Sequence, residues 1–174
     1  MKPVLKVAVI GMLAAMTVAA QVALSFIPNV EIVTLLFIIY AINLSLGDAV
    51  SIIVVFTLIE GLIWGFSDWV IGYLWIWSLL VIVVSLLKPF IKLNQDGWAL
   101  LAGCWGLAFG FFFALQWGLL HGISAGYAYW LKGVVFDLIH MVSNYIIVLL
   151  LLTPINKQFY NIYQRMEVTY GHHD

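Results

Sequence analysis

Three ionisable side chains, Glu60, Asp137 and His140, lie inside long apolar runs. In a bilayer such a group costs about 2.5–3.5 kcal/mol even on a lenient insertion scale, so it faces protein or water rather than lipid. Asp137, His140 and Asn144 recur at helical spacing and form a single polar stripe. The chemistry open to them is hydrogen bonding and ion pairing with a small solute, or the passing of a proton. Asp137 and His140 have the residue types of an acid–base pair, but no nucleophile or metal constellation accompanies them. The chain contains no His-Glu-x-x-His pair, no Gly-x-Ser-x-Gly elbow and no Gly-rich phosphate loop. His172, His173 and Asp174 form only a weak chelating pattern at the tail.

Further polar groups, Gln21, Gln116, Glu31, Asp68 and His121, fall near the same ends of their segments, whereas the opposite half is almost purely apolar. A cavity open on one side of the membrane explains that asymmetry; an interhelical hydrogen-bond network is the plainer alternative. Trp64, Trp69, Tyr73, Trp75, Trp77, Trp117, Tyr127, Tyr129 and Trp130 crowd the same half. A membrane-interface belt accounts for several of them, and the excess suits a pocket that stacks on a flat heterocycle. Glu60, Trp64, Asp68, Trp69, Tyr73, Trp117, His121, Asp137, His140 and Asn144 are therefore the candidate solute contacts.

What must position them follows from composition. Of 174 residues, 65% are hydrophobic and 9% charged, against about 45–50% and about 25% in a soluble domain. This excludes a soluble enzyme, a disulfide scaffold and a disordered chain. Cys104 is the sole cysteine and the net charge is −1, so neither a thiolate metal cluster nor a nucleic-acid-binding patch is expected. No cofactor is expected either. Hydropathy and punctuation predict an all-α integral membrane protein forming a single membrane domain. Six transmembrane helices are expected over about 4–26, 30–46, 49–64, 69–87, 98–120 and 133–152, with a tail over 155–174. Lys2, Lys6, Lys88, Lys92, Lys157 and Arg165 then share one side, and only Lys132 lies opposite. The positive-inside rule puts both termini in the cytoplasm. The first apolar run, of about 20 residues, exceeds the usual core of a signal peptide and is read as a retained span.

Gly11, Ala15, Ala19 and Ala23 recur every fourth residue on one face of the first span. Small residues at this spacing let another helix approach closely. Together with the turn Ile27-Pro28-Asn29-Val30-Glu31 and the segment Glu60-Gly61-Leu62-Ile63-Trp64-Gly65-Phe66, followed by Trp69 and Tyr73, they resemble the substrate-binding S component of energy-coupling factor (ECF) vitamin transporters. The resemblance extends over essentially the whole chain. It implies high-affinity binding of one vitamin or precursor near the extracellular side of a prokaryotic plasma membrane. It also implies docking on a transmembrane coupling subunit driven by two ATPases, through Ala15 and Ala19 with Gly11 and Ala23 as extensions.

Glu60, Asp137 and His140 among aromatics suit a small nitrogen-containing ring, of pyridoxine type or a hydroxymethylpyrimidine, better than an anionic vitamin. The alternative is a stand-alone proton-coupled transporter that uses Glu60, Asp137 and His140 as its relay. A membrane enzyme or assembly factor is a third class.

Overall fold

The computed structural model describes residues 3–91 and 94–171, apart from the side chains of 167, 170 and 171. Lys2, Lys92 and the His172-His173-Asp174 tail lie outside the described residues. The described chain forms six α-helices: α1 (Pro3–Leu24), α2 (Val33–Asn43), α3 (Leu46–Trp64), α4 (Asp68–Ile91), α5 (Gln95–His121) and α6 (Ile123–Gly171). All but α2 are long and apolar enough to cross a membrane. Their outward surface is apolar, with Leu62, Phe90 and Leu119 almost fully exposed. The chain is thus an all-α, multi-pass membrane protein.

The element that shapes the site is α2. At 11 residues it spans roughly 16 Å, about half the ~30 Å of bilayer hydrocarbon. The 30–46 span expected from hydropathy is therefore too long at both ends. At its start Asn29 takes a left-handed φ of 58°, and the chain turns before the helix begins. At its end Leu44 is extended and Ser45 caps α3, accepting from the Asp48 amide at 3.2 Å. Leu46-Gly47-Asp48, at the junction of the expected spans 30–46 and 49–64, is therefore the first turn of α3. Lys88 closes α2 from the side by donating to the Ala41 carbonyl at 3.1 Å, a cation placed where the helix dipole favours one.

Nearly every side chain of α2 is buried, so it forms the axis of the bundle. Phe37 sits at its centre, edge-on to Phe56 of α3 and packed on Trp77 of α4. Neighbouring helices close the ring: α1 packs on α3 and buries Val9, Leu13, Thr17 and Val18, with the Thr17 hydroxyl 3.2 Å from the Tyr40 hydroxyl of α2. The Lys6–Asp48 ion pair, at 2.7 Å, ties these two helices at the end opposite the α1–α2 loop.

The most extensive packing joins α5 and α6. They form an antiparallel hairpin broken only at Gly122, whose φ of 97° glycine adopts without strain. Helix α6 extends beyond the expected last span at both ends. Between the expected spans 98–120 and 133–152 the helix already resumes at Ile123. The last span is expected over 133–152, and the helix that carries it, α6, runs on through Pro154 for 49 residues in all. It continues because Ile155, Phe159, Tyr163 and Met166 recur at helical spacing and pack against the core. At roughly 74 Å it is far longer than a bilayer needs, and its stretch from Ile155 to Met166 packs against the core. There Asn156 accepts from Asn43 at 2.6 Å and Phe159 meets Tyr40.

Candidate functional site

Because α2 is short, a space remains beyond its N-terminus, roofed by the α1–α2 loop. Glu31, in that loop, accepts from the Thr34 amide at 2.8 Å through Oε2 and from the Thr34 hydroxyl at 2.5 Å through Oε1. A carboxylate in this position caps the exposed N–H groups of α2 and meets the positive end of its dipole. Oε1 also lies 3.1 Å from Nε2 of His140 on α6. Asn144, one turn further along α6, donates to the Thr34 hydroxyl oxygen at 3.0 Å. Ser143 donates to the Asn29 carbonyl at 2.8 Å and pins the roof to α6.

The cavity beneath this roof holds about 220 Å³. Its polar lining comes from Gln21, Ser25, Asn29, Glu31 and His140, and its walls from Trp64, Tyr73, Trp77 and Phe109. The aromatic walls brace one another. Phe109 stands edge-on to His140 at 5.1 Å and tilts on Trp77 at 5.0 Å. Gln21 donates to the Tyr73 hydroxyl at 3.1 Å, which links α1 to α4 across the mouth. The Trp77 indole N–H is buried with no hydrogen-bond partner among the described residues. A donor left so is costly unless a bound molecule satisfies it.

Burial pushes the Glu31 carboxyl up, but His140 and the two Thr34 donations outweigh it and hold it below the usual carboxylate range. A lowered folded value stabilises the fold at pH above the unfolded value, and that contribution is lost as pH falls through the folded one. Melting temperature in detergent should therefore drop on acidification past the ordinary carboxylate range. Glu31→Gln should flatten that slope; an identical slope in the variant would refute the assignment.

The expected site residues are distributed over three places. Trp64, Tyr73 and His140 line the cavity, and Trp69 packs edge-on behind Tyr73. Glu60 (1% exposed), Asp137 and Asn144 are buried in the packing around it. One oxygen of each of these three has no partner among the described residues: Oε1 of Glu60, Oδ2 of Asp137 and Oδ1 of Asn144. The other Asp137 oxygen accepts from the Gly110 amide at 3.0 Å, so Asp137 and His140 find separate partners instead of each other. Asp68, Trp117 and His121 form a distinct cluster outside the cavity lining. His121 meets Asp68 at 3.1 Å, both about half exposed, and tilts on Trp117 at 4.2 Å between ring centres. Gln116 braces this rim, accepting from Trp75 at 2.8 Å and donating to the Asp68 carbonyl at 2.6 Å.

Sequence reasoning passed over Thr34 and Phe109, and it placed Gln21, Glu31 and Trp77 in the polar and aromatic half without counting them among the solute contacts. An acid just ahead of α2 suits the positive end of the helix dipole, but nothing local marks His140 as the partner of Glu31 across 109 positions. On α1, Ala15, Ala19 and Ala23 are exposed and Gly11 is half-buried. Among the described residues the site holds no cluster of three metal-ligating side chains. No family model, no curated protein and no solved structure matches this chain.

Proposed function

We propose that this chain captures a small, nitrogen-bearing ring solute in the cavity beneath the α1–α2 loop and serves its uptake across the membrane. The observation that carries this reading is the cavity itself, with a buried carboxylate–imidazole pair on one side and aromatic walls on the other. Its volume of about 220 Å³ lies below the ~300–1,000 Å³ of ordinary ligand pockets. That size favours a single-ring vitamin or precursor, of pyridoxine or hydroxymethylpyrimidine type, and disfavours large vitamins. With the start of α1 on the cytoplasmic side, as the distribution of cations implies, the cavity at the other end of α1 opens to the outside of the cell, where an imported solute is met.

Two readings of the energy source draw on different observations. The small-residue face of α1, turned away from the chain's own helices, supports delivery by docking on an ECF module, a coupling subunit with two ATPases, as the resemblance to S components implies. The buried acids favour the second reading. Solute capture alone uses Glu31 and His140, whereas Glu60 and Asp137 add two carboxyls with oxygens open to a proton. Such a set suits a stand-alone proton-coupled transporter that moves protons through Glu60, Asp137 and His140.

Tryptophan fluorescence of the purified protein, titrated with a panel of vitamins and precursors, tests capture through Trp64 and Trp77 in the cavity wall. Saturable quenching by one single-ring compound is expected. Silence across the panel from folded, ligand-free protein would overturn the proposal. Proteoliposomes containing this chain alone then separate the energy sources. Uptake driven by an imposed proton gradient and lost in Glu60→Gln would establish proton coupling. Binding without uptake, with delivery abolished by Ala15→Leu and Ala19→Leu in cells, would establish docking.

A further inference from the structure

The hydrogen bonds around Glu31 have a forced direction. The Asn144 amide nitrogen can only donate, so the Thr34 hydroxyl oxygen must accept from it. The hydroxyl hydrogen is then free for Glu31 Oε1, its one other described polar neighbour, while the Thr34 amide donates to Oε2. A carboxylate that already accepts on both oxygens is a poor proton acceptor. The hydrogen shared with His140 at 3.1 Å therefore belongs on the nitrogen.

We propose that Thr34 and Asn144 are positioning residues that keep the shared hydrogen on Nε2 of His140 and Glu31 ionised, and so tune the cavity to accept positive charge and hydrogen-bond donors over carboxylates. The preference for such solutes rests on the reading of the cavity as a solute site; the placement of the hydrogen does not. Other titratable groups near the pair are Tyr73 on α4, Glu60 on α3 and Asp137 on α6. From α5 the ring of Phe109 faces His140, and from α1 Gln21 reaches Tyr73. None of these is a described hydrogen-bond partner of either Glu31 oxygen.

Nitrogen NMR of the full chain in detergent micelles, with nitrogen-15 histidine and the His140 signal assigned through His140→Gln, reads the placement without any solute. Nε2 of His140 should appear as an N–H nitrogen throughout the neutral pH range. A bare Nε2 in the wild-type protein would overturn the proposal outright. Thr34→Val, which removes the hydroxyl but keeps the shape, should shift Nε2 toward a bare nitrogen, and Thr34→Ser should restore it. An unchanged Nε2 in Thr34→Val would remove Thr34 from the positioning role, and an unchanged Nε2 in Asn144→Leu would remove Asn144. Titration with pyridoxine and with its carboxylate analogue pyridoxic acid tests the consequence. The wild-type preference for the first should shrink roughly tenfold in Thr34→Val, the scale of one charged hydrogen bond. Equal binding of both compounds by the wild-type protein, with Nε2 protonated, would overturn the tuning claim. Silence toward both, with Nε2 protonated, would remove the solute preference and leave the hydrogen placement standing.

Discussion

Glu31→Gln should weaken solute binding by about a hundredfold or more while the protein still folds. Truncating the charged partner of a buried hydrogen bond to a bound molecule costs about 2–5 kcal/mol of affinity, and each 1.4 kcal/mol is roughly tenfold. Glu31 is the lining residue on which the other polar contacts converge: it receives both donors of Thr34 and faces His140. Gln keeps the shape and the acceptor oxygen but brings an amide that competes as a donor, so the network loses its charge and its direction together. His140→Gln should cost nearly as much. The double variant should cost little more than either single one, because residues that act through one contact are strongly non-additive. The check is a double-mutant cycle on solute affinity, read from tryptophan fluorescence, with thermal melting as the control for folding. Binding within threefold of the wild type in Glu31→Gln would place the solute elsewhere.

Much of this arrangement was legible in the sequence, and the failures have physical causes. Helical spacing alone placed Asp137, His140 and Asn144 on one face, and all three are buried inward. Hydropathy separated the helices because a bilayer leaves few options for polar backbone. It also gave the depth of each polar residue along its helix. Depth does not give the direction a residue faces around the bundle. Asp68, Trp117 and His121 share the level of the cavity yet turn to a rim between α4 and the α5–α6 hairpin.

Punctuation misled in two opposite ways. Pro154 and the glycines at 122 and 126 looked like breaks, but only Gly122 breaks the helix. Pro154 removes one hydrogen bond, and the packing of Ile155 and Phe159 on the core sustains the helix past it. Conversely, the apolar run through Val30 looked long enough to span, although Asn29 and the Glu31 cap delay the helix. That delay makes the cavity, because each residue withheld from α2 leaves about 1.5 Å of the bundle axis unfilled. The pairing of Glu31 with His140 depends on the register of α6 against the rest of the bundle, which no local pattern records.

That register is set by glycines on α5, and Gly106→Ala should break it. A methyl at Gly106 would stand 2.7 Å from the His140 carbonyl oxygen and 2.8 Å from its carbon. Both atoms are backbone, so neither can swing aside and the whole of α6 must move. Overpacking of a close-packed interface costs about 1–3 kcal/mol and sometimes more, and here the strain falls on the residue that pairs with Glu31. The variant should therefore melt at a lower temperature and also bind solute more weakly, because any shift of α6 carries the His140 imidazole away from Glu31. Two other glycines calibrate the effect. At Gly61 the obstacle is the ring of Phe66, 2.5 Å away, but that ring is mostly exposed and can rotate, so Gly61→Ala should be milder. At Gly133 a methyl meets nothing within 4 Å. Because alanine is the better helix former by about 1 kcal/mol, Gly133→Ala should leave binding intact and hold or raise the melting temperature. The three substitutions add the same methyl and differ only in what it meets. If Gly106→Ala melts and binds like Gly133→Ala, the close approach of α5 and α6 at His140 is not what holds the site.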